Sequence, residues 1–397
     1  MPEDRSKPNI LIVHNRYQLP GGEDTVVENE KRLLEENGPQ VFSYIRNPNL
    51  KGLRGALLPL TMFFNPKTFF DIRRIIRENH IDIVHVHNTA HVISPAVYYA
   101  AKSLGIPVVK TIHNYRMQCP AGTFYREGKI CEVCKNNRFG TAIKHGCYRG
   151  SRLQTLAVVL NMKLHRAAGI FRDLYYIALS EFGKEHLLSF HQIDPEHVYV
   201  KPNFTFREGP EGMIPVKKRG YYLFSGRLEE IKGILLAVEA FRQMPDRKFV
   251  AAGEGPLMDG IRAFLKEEHI QNTELPGWIP HREMREKIRG AAALIACPQM
   301  YDVFPLTILE AFAEHTPVIS GDIGNLKNIV KDKYNGIRFQ YDSVQSLMDA
   351  IAEFEESDRE TMAENAYRSW EENYSPEINY RTLRDIYTAI LRSAHGE

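Results

Sequence analysis

A bilayer-spanning helix needs about 20 consecutive apolar residues, and no stretch of this chain comes near that. The first residues, MPEDRSKPN, lack the apolar core of a secretory signal. Both absences lead us to expect an intracellular, cytoplasmic protein. Cysteine is scarce, at five in 397 residues, which excludes a disulfide scaffold. Strong net charge is missing too, since the balance is +2. With no recognition motif for DNA or RNA either, nucleic acid is not an expected partner. No Asp-x-Asp and no Gly-x-Ser-x-Gly occurs. The first absence argues against a metal-held diphosphate, the second against a serine hydrolase.

What is present is unevenly placed. Residues 1–200 hold 26 Lys and Arg against 18 Asp and Glu, whereas the remainder holds 25 against 31. The first half therefore suits an acidic partner better. The apolar stretch GALLPLTMFF (55–64) and the cations Lys144, Arg149 and Arg152 fit an anionic membrane surface. A buried helix and a solvated face explain them equally. Four of the cysteines, Cys119, Cys131, Cys134 and Cys147, crowd into one segment. Four thiolates can hold a tetrahedral zinc and order such an insertion. Unligated or partly paired cysteines are the competing state.

Strand and helix signals alternate along the chain. NILIVH (9–14), QVFSYI (40–45), IDIVHVH (81–87), GIPVVKTIH (105–113) and YIALS (176–180) read as strands. EDTVVENEKRLLEENG (23–38) has helical spacing and ends at Gly38. Ser94-Pro95 opens a helix, and Ser180 stands at an N-cap. The Pro-, Gly- and charge-rich run 198–220 breaks this rhythm. It resumes with YYLFSG (221–226), KFVAAGEG (248–255), NTELPGW (272–278), AAALIACP (291–298) and TPVISG (316–321). The pattern predicts two α/β domains with parallel sheets and a cleft between them. We expect boundaries at 1–203, carrying a four-cysteine insertion over 119–147, and 204–372. A C-terminal helix within 373–397 is expected to pack back on the first domain.

In such sheets ligands sit beyond the carboxyl ends of the strands. Arg227 and Lys232 follow one strand near a helix start, where a diphosphate would find cations and free N–H groups. Solvated charge is the plain alternative. Gly253 and Gly255 permit close approach of backbone after the next strand. Asp302 precedes a helix whose first turn is expected to carry Glu310, a carboxylate suited to the paired hydroxyls of a ribose; two acids that merely stabilise the helix N-terminus are the plain alternative. Backbone donors of Val303, Phe304, Pro305 and Leu306 would face the same ligand. In the first half, Gly21-Gly22 leave a bare strand end, or an ordinary turn. His113 ends a strand beside Asn114 and Arg116, where it would donate to a sugar hydroxyl or bear charge near phosphate; a satisfied structural histidine is the usual alternative. His85 and His87 share a face but lack a third ligand in the sequence, so no metal site is expected there.

SGRLEEIKG, GEGP, DVFPLTILEAFAEHTPVIS and GNLKNIVKDKYNGIRF, in that order, resemble the retaining glycosyltransferases of GT-B fold, two Rossmann-like domains facing across a cleft. GGED, VHVHN and HNYRMQCPAG resemble the subgroup that builds bacterial surface polysaccharides. The resemblance implies transfer of a sugar from a UDP- or GDP-sugar to a lipid-linked or oligosaccharide acceptor, with no cofactor needed for catalysis. It implies Arg227 and Lys232 on the diphosphate, Glu310 on the ribose, and Gly22, Gly253 and Glu254 along the nucleotide. It also implies His113 beside the sugar and Asp302 at the first position of a Glu-x7-Glu motif, here Asp-x7-Glu with a shorter arm. The acceptor is expected on the first domain near 14–22 and 55–70, at the inner face of a membrane. A nucleotide-sugar epimerase and a non-catalytic sugar-nucleotide-binding protein are the alternatives.

Overall fold

The computed structural model describes residues 8–17, 21–47, 61–90, 92–189, 193–207 and 219–395. Part of the apolar stretch 55–64 and residues 208–218 of the run 198–220 lie outside these residues. The chain divides into two compact units. One comprises the described residues of 1–122, 132–203 and 376–397; the other comprises 123–131 and 204–375.

Fourteen strands occur among the described residues. They are β1 Asn9–Asn15, β2 Gln40–Arg46, β3 Ile83–Asn88, β4 Val108–Ile112, β5 Tyr125–Arg126, β6 Lys129–Ile130, β7 Tyr175–Ala178 and β8 Val198–Val200, followed by β9 Tyr222–Ser225, β10 Phe249–Ala252, β11 Thr273–Gly277, β12 Ala293–Ala296, β13 Val318–Gly321 and β14 Gly336–Phe339. The first unit holds a parallel sheet in the order β2-β1-β3-β4-β7-β8. The second holds a parallel sheet in the order β11-β10-β9-β12-β13-β14. Sheets covered on both faces bury their strands throughout, and β3 is buried at every position, His85 and His87 included.

Side chains alternate across a strand, so one strand feeds two cores. Ile10 and Ile12 of β1 join Val27, Leu34, Leu383, Ile386 and Ile390 on one face. Leu11 and Val13 join Ile72, Ile76 and Val97 on the other. The helix Gly22–Glu36 buries Val26, Val27, Leu33 and Leu34 and ends before Gly38, whose φ of 104° favours glycine. Ser180 caps the helix Glu181–Leu188 by accepting from the Gly183 N–H at 3.0 Å.

The strand order reverses between β1 and β3 in one sheet and between β9 and β12 in the other. Loops leaving two such strands part in opposite directions, which leaves a crevice at their carboxyl ends. The expected site residues of the second unit lie on the loops after β9, β10 and β12, except Leu306 and Glu310, which lie on the helix that follows the last of these loops.

Three strand signals escape the sequence pattern. β8 lies inside the run taken as a junction, β14 follows a turn-rich segment, and β5 and β6 form a two-residue-strand hairpin. That hairpin lies within the cysteine-rich insertion but belongs to the second unit.

Candidate functional site

The β9 loop is built on glycines that face protein backbone. Gly233 has φ 75°, and a Cβ there would stand 1.7 Å from the Cys297 carbonyl oxygen, just beyond β12. A Cβ on Gly253 would meet the Gly226 carbonyl at 1.9 Å, and one on Gly255 the Leu228 carbonyl at 2.4 Å. The Leu228 N–H donates to the Glu254 carbonyl at 2.9 Å, and the Gln299 N–H to the Ile231 carbonyl at 2.9 Å. The loops after β9, β10 and β12 are thereby strapped together at the point where strand order reverses.

Lys232 ends the short 3-10 turn Glu230–Lys232 and donates to Asp302 Oδ2 at 2.5 Å. Two residues expected to serve different parts of a ligand are thus paired with each other, with Asp302 Oδ1 left over. Arg227 lies 3.0 Å from Glu229 Oε1 and is about half exposed. Glu310 is buried and lies 3.3 Å from His281 Nε2. Its helix runs Leu306–Ala313 from an extended Pro305. Glu310 therefore stands one turn in, not in the first turn as expected. Pro305 has no N–H, so it cannot join the expected backbone donors, and Val303, Phe304 and Leu306 remain.

The hairpin of β5 and β6 was not foreseen as part of this region. Tyr125 donates its hydroxyl to Glu230 Oε1 at 2.7 Å, two residues from Lys232. Phe124 packs edge-on to Tyr301, next to Asp302, with ring centroids 6.4 Å apart.

In the first unit, Gly21 is extended and caps the helix Gly22–Glu36, with Asp24 reaching back to its N–H at 3.0 Å. His14 at the end of β1 meets Asp24 Oδ1 at 2.8 Å through Nε2. Across the switch point, His85 and His87 do find a third group. Glu30 Oε1 lies 3.1 Å from His85 Nδ1 and 3.3 Å from His87 Nε2. Among the described residues this is the one set of three with metal-ligating atoms so close together. Its cation is already present, because buried Lys201 donates to Glu30 Oε2 at 2.9 Å and to Asn379 Oδ1 at 3.1 Å. His85 is further held by the Tyr387 and Thr111 hydroxyls, each at 2.7 Å. The sequence did signal Glu30: it is a carboxylate inside the apolar stripe Val26, Val27, Leu33, Leu34.

This cluster decides the chemistry of His113. Lys201 and the nearby histidines outweigh burial and hold the Glu30 carboxyl well below its usual range. Burial pushes His85 down to about 3 and lowers His87 and His113 as well. All three rings are neutral at pH 7. Across 3.3 Å a buried carboxylate oxygen disfavours a facing lone pair, so His87, although it makes no hydrogen bond to Glu30, keeps its proton on Nε2, on the Glu30 side. Its Nδ1 then accepts from His113 Nε2–H, 2.9 Å away. His113 Nδ1 is left as an acceptor. The expectation that His113 donates or bears charge gives way to a neutral ring that accepts.

His113 and His87 also line a cavity of about 120 Å³ with Lys110, Arg116, Arg166 and Phe171, and no carboxylate is among its lining residues. The four cysteines form no ligand set: Cys119 and Cys134 are buried, Cys131 belongs to the second unit, and none joins a metal-ligating group among the described residues. The zinc expectation is not supported.

Residues 20–205 match the model for Glycosyltransferase Family 4, and residues 212–369 that for Glycosyl transferases group 1. The two together span most of the chain. It belongs to these glycosyltransferases. An uncharacterized glycosyltransferase of Methanocaldococcus jannaschii is 28% identical over 170 residues, 42% of this chain and 48% of that protein. UDP-Gal:alpha-D-GlcNAc-diphosphoundecaprenol alpha-1,3-galactosyltransferase of Escherichia coli is 23% identical over 344 residues, 80% of this chain and 78% of that one. The chain spans about half the length, or less, of three of the curated relatives it matches, at 48%, 45% and 30%. Anabaena HepE, solved in complex with UDP-glucose, superposes at a TM-score of 0.66 with 15% identity, over 96% of this chain and 100% of that one. This likeness shows the fold, GT-B.

Proposed function

We propose that this glycosyltransferase moves a hexosyl group from a UDP-sugar to a lipid-linked or glycan acceptor, with retention at the anomeric carbon. The observation that carries the reading is the strapped loop set after β9, β10 and β12, which holds Arg227, Lys232, Asp302 and Glu310 about one switch point. A nucleotide-sugar donor is supported by HepE, solved with UDP-glucose, and by the E. coli enzyme, named for UDP-Gal. A lipid diphosphate acceptor is supported by that enzyme's name and by the cationic, carboxylate-free cavity beside His113.

The chemical difficulty is charge. As the bond from C1 to the leaving phosphate breaks, negative charge gathers on the diphosphate. Arg227, Lys232 and helix N–H groups stabilise it, and one such contact is worth about 2.7–4 kcal/mol. Glu310 accepts from the ribose hydroxyls. The acceptor hydroxyl forms its bond to C1 on the face the phosphate leaves, and its proton passes to a phosphate oxygen. Asp302 Oδ1 accepts from a sugar hydroxyl and helps hold the ring; in the first unit, His113 Nδ1 is available as an acceptor. Catalysis then rests on positioning and electrostatics, with no protein nucleophile.

The test is a donor screen by mass spectrometry with a lipid-diphosphate sugar acceptor. Transfer is expected to fall about 100- to 1000-fold in Arg227→Ala and in Lys232→Ala, with folding unchanged by circular dichroism. Full turnover in both variants would overturn the assignment. Donor converted to a C2 epimer without acceptor would mean an epimerase instead. Nucleotide-sugar binding without turnover on any acceptor would mean a binding protein.

A further inference from the structure

The helix Arg152–Ala167 is capped by Ser151, which accepts from the Gln154 N–H. It buries Thr155, Val159 and His165 and turns a row of leucines outward. Leu153 is 77% exposed, Leu156 37%, Leu160 49% and Leu164 54%. At about 100° per residue, these four fall within an arc of about 80°. A soluble helix normally keeps that stripe for its own core. Here the stripe and the core-facing residues lie on different faces.

The row continues onto a neighbouring segment. Asn161 donates to the Met62 carbonyl at 2.7 Å and His165 Nε2 to the Phe63 carbonyl at 2.8 Å, fixing residues 62–64 beside the helix. Phe64, 40% exposed, packs against Tyr99, whose hydroxyl meets His165 Nδ1. The surroundings are of one sign. Between Glu132 and Asp173 the chain has no acid and eight Lys or Arg. Arg152 and Lys163 are exposed and project from the same edge of the leucine row.

We infer that the helix Arg152–Ala167 docks in the interface of an anionic lipid bilayer, with Leu153, Leu156, Leu160 and Leu164 among the acyl chains and Arg152 and Lys163 at the headgroups. An exposed leucine row bordered by cations, with no acid on the segment, is the composition such interfacial helices require. A second copy of this chain would be a poor occupant, because it would bring an equally basic segment against this one. The inference does not depend on the sugar-transfer reading.

The test is flotation of the full chain with vesicles of phosphatidylcholine alone and of phosphatidylcholine with 30% phosphatidylglycerol. Binding is expected to the anionic vesicles only and to weaken in high salt. Leu153→Ser, Leu160→Ser and Leu164→Ser together should abolish flotation. The three side chains are exposed, so thermal stability and UDP affinity should hold. Arg152→Gln with Lys163→Gln should lower partitioning about fivefold per charge. Equal flotation of the leucine variant would overturn the inference. So would absence of wild-type binding, or a wild-type dimer that the leucine variant loses while vesicles capture neither.

Discussion

At the scale of single residues, Gly233 and Glu30 carry the sharpest consequences. Gly233→Ala places a methyl where the Cys297 carbonyl already is, at a φ of 75°. The backbone conformation alone costs about 1–3 kcal/mol, and displacing the β12 loop adds to it. Urea unfolding should show that loss, and UDP titration should show weakened binding. Glu30→Gln leaves Lys201 charged and unpaired in the core, which costs about 3–5 kcal/mol. A second readout separates chemistry from stability. In ¹⁵N spectra of histidine-labelled wild type, the proton of His113 should reside on Nε2. In Glu30→Gln the amide no longer demands a donor from His87, and the two tautomers should mix. A wild-type His113 proton on Nδ1 would refute the ordered chain. The sequence exposed Arg227, Lys232, Asp302 and His113 as candidates because each follows a strand. It could not disclose that Lys232 and Asp302 bond to each other, nor that Glu30 stands behind His87, because the partners lie tens of residues apart.

At the scale of elements, long periodic segments were legible. The helix Gly22–Glu36 and the cap Ser180 follow from spacing and side-chain chemistry alone. Ser180→Ala should cost about 1 kcal/mol, read as a lower Tm, because the Gly183 N–H loses its acceptor. Short elements were not legible. β8 has three residues and sits next to proline, so it read as part of a linker. The β5–β6 hairpin has two residues per strand and no apolar alternation, and it is held by Tyr125 on Glu230 and Phe124 beside Tyr301. Glu310 was expected in a first turn, but Pro305 fixes the helix start one turn before it.

At the scale of the whole molecule, the buried histidines set an acid limit. His85 binds a proton near pH 6.5 when unfolded but only at about 3 when folded, because burial disfavours its charge. The unfolded chain therefore takes up more protons as pH falls. His85 stability is complete above pH 6.5 and is lost below it, by about 1.4 kcal/mol per pH unit. His87, lowered for the same reason, adds to the loss. Glu30, held below its usual range, contributes in the same direction under pH 4.5. Unfolding free energies from urea titrations at pH 7, 6 and 5 should fall steeply below 6.5. A flat profile would mean that the cluster is open to water.

The sequence by itself determined the two parallel α/β sheets, because strand and helix periodicities are local and repeat along the chain. It also marked the loops in which to look for the chemistry, since strand ends are marked by glycine, proline and charge. Tertiary structure alone decided which of those residues meet. The Glu30–Lys201–His85–His87 cluster draws on a helix, one strand and the end of another, and the leucines of Arg152–Ala167 became a surface only when the core formed from the other face. Hydrophobic spacing says that a side chain shares a face with its neighbours; only packing says what that face is turned toward.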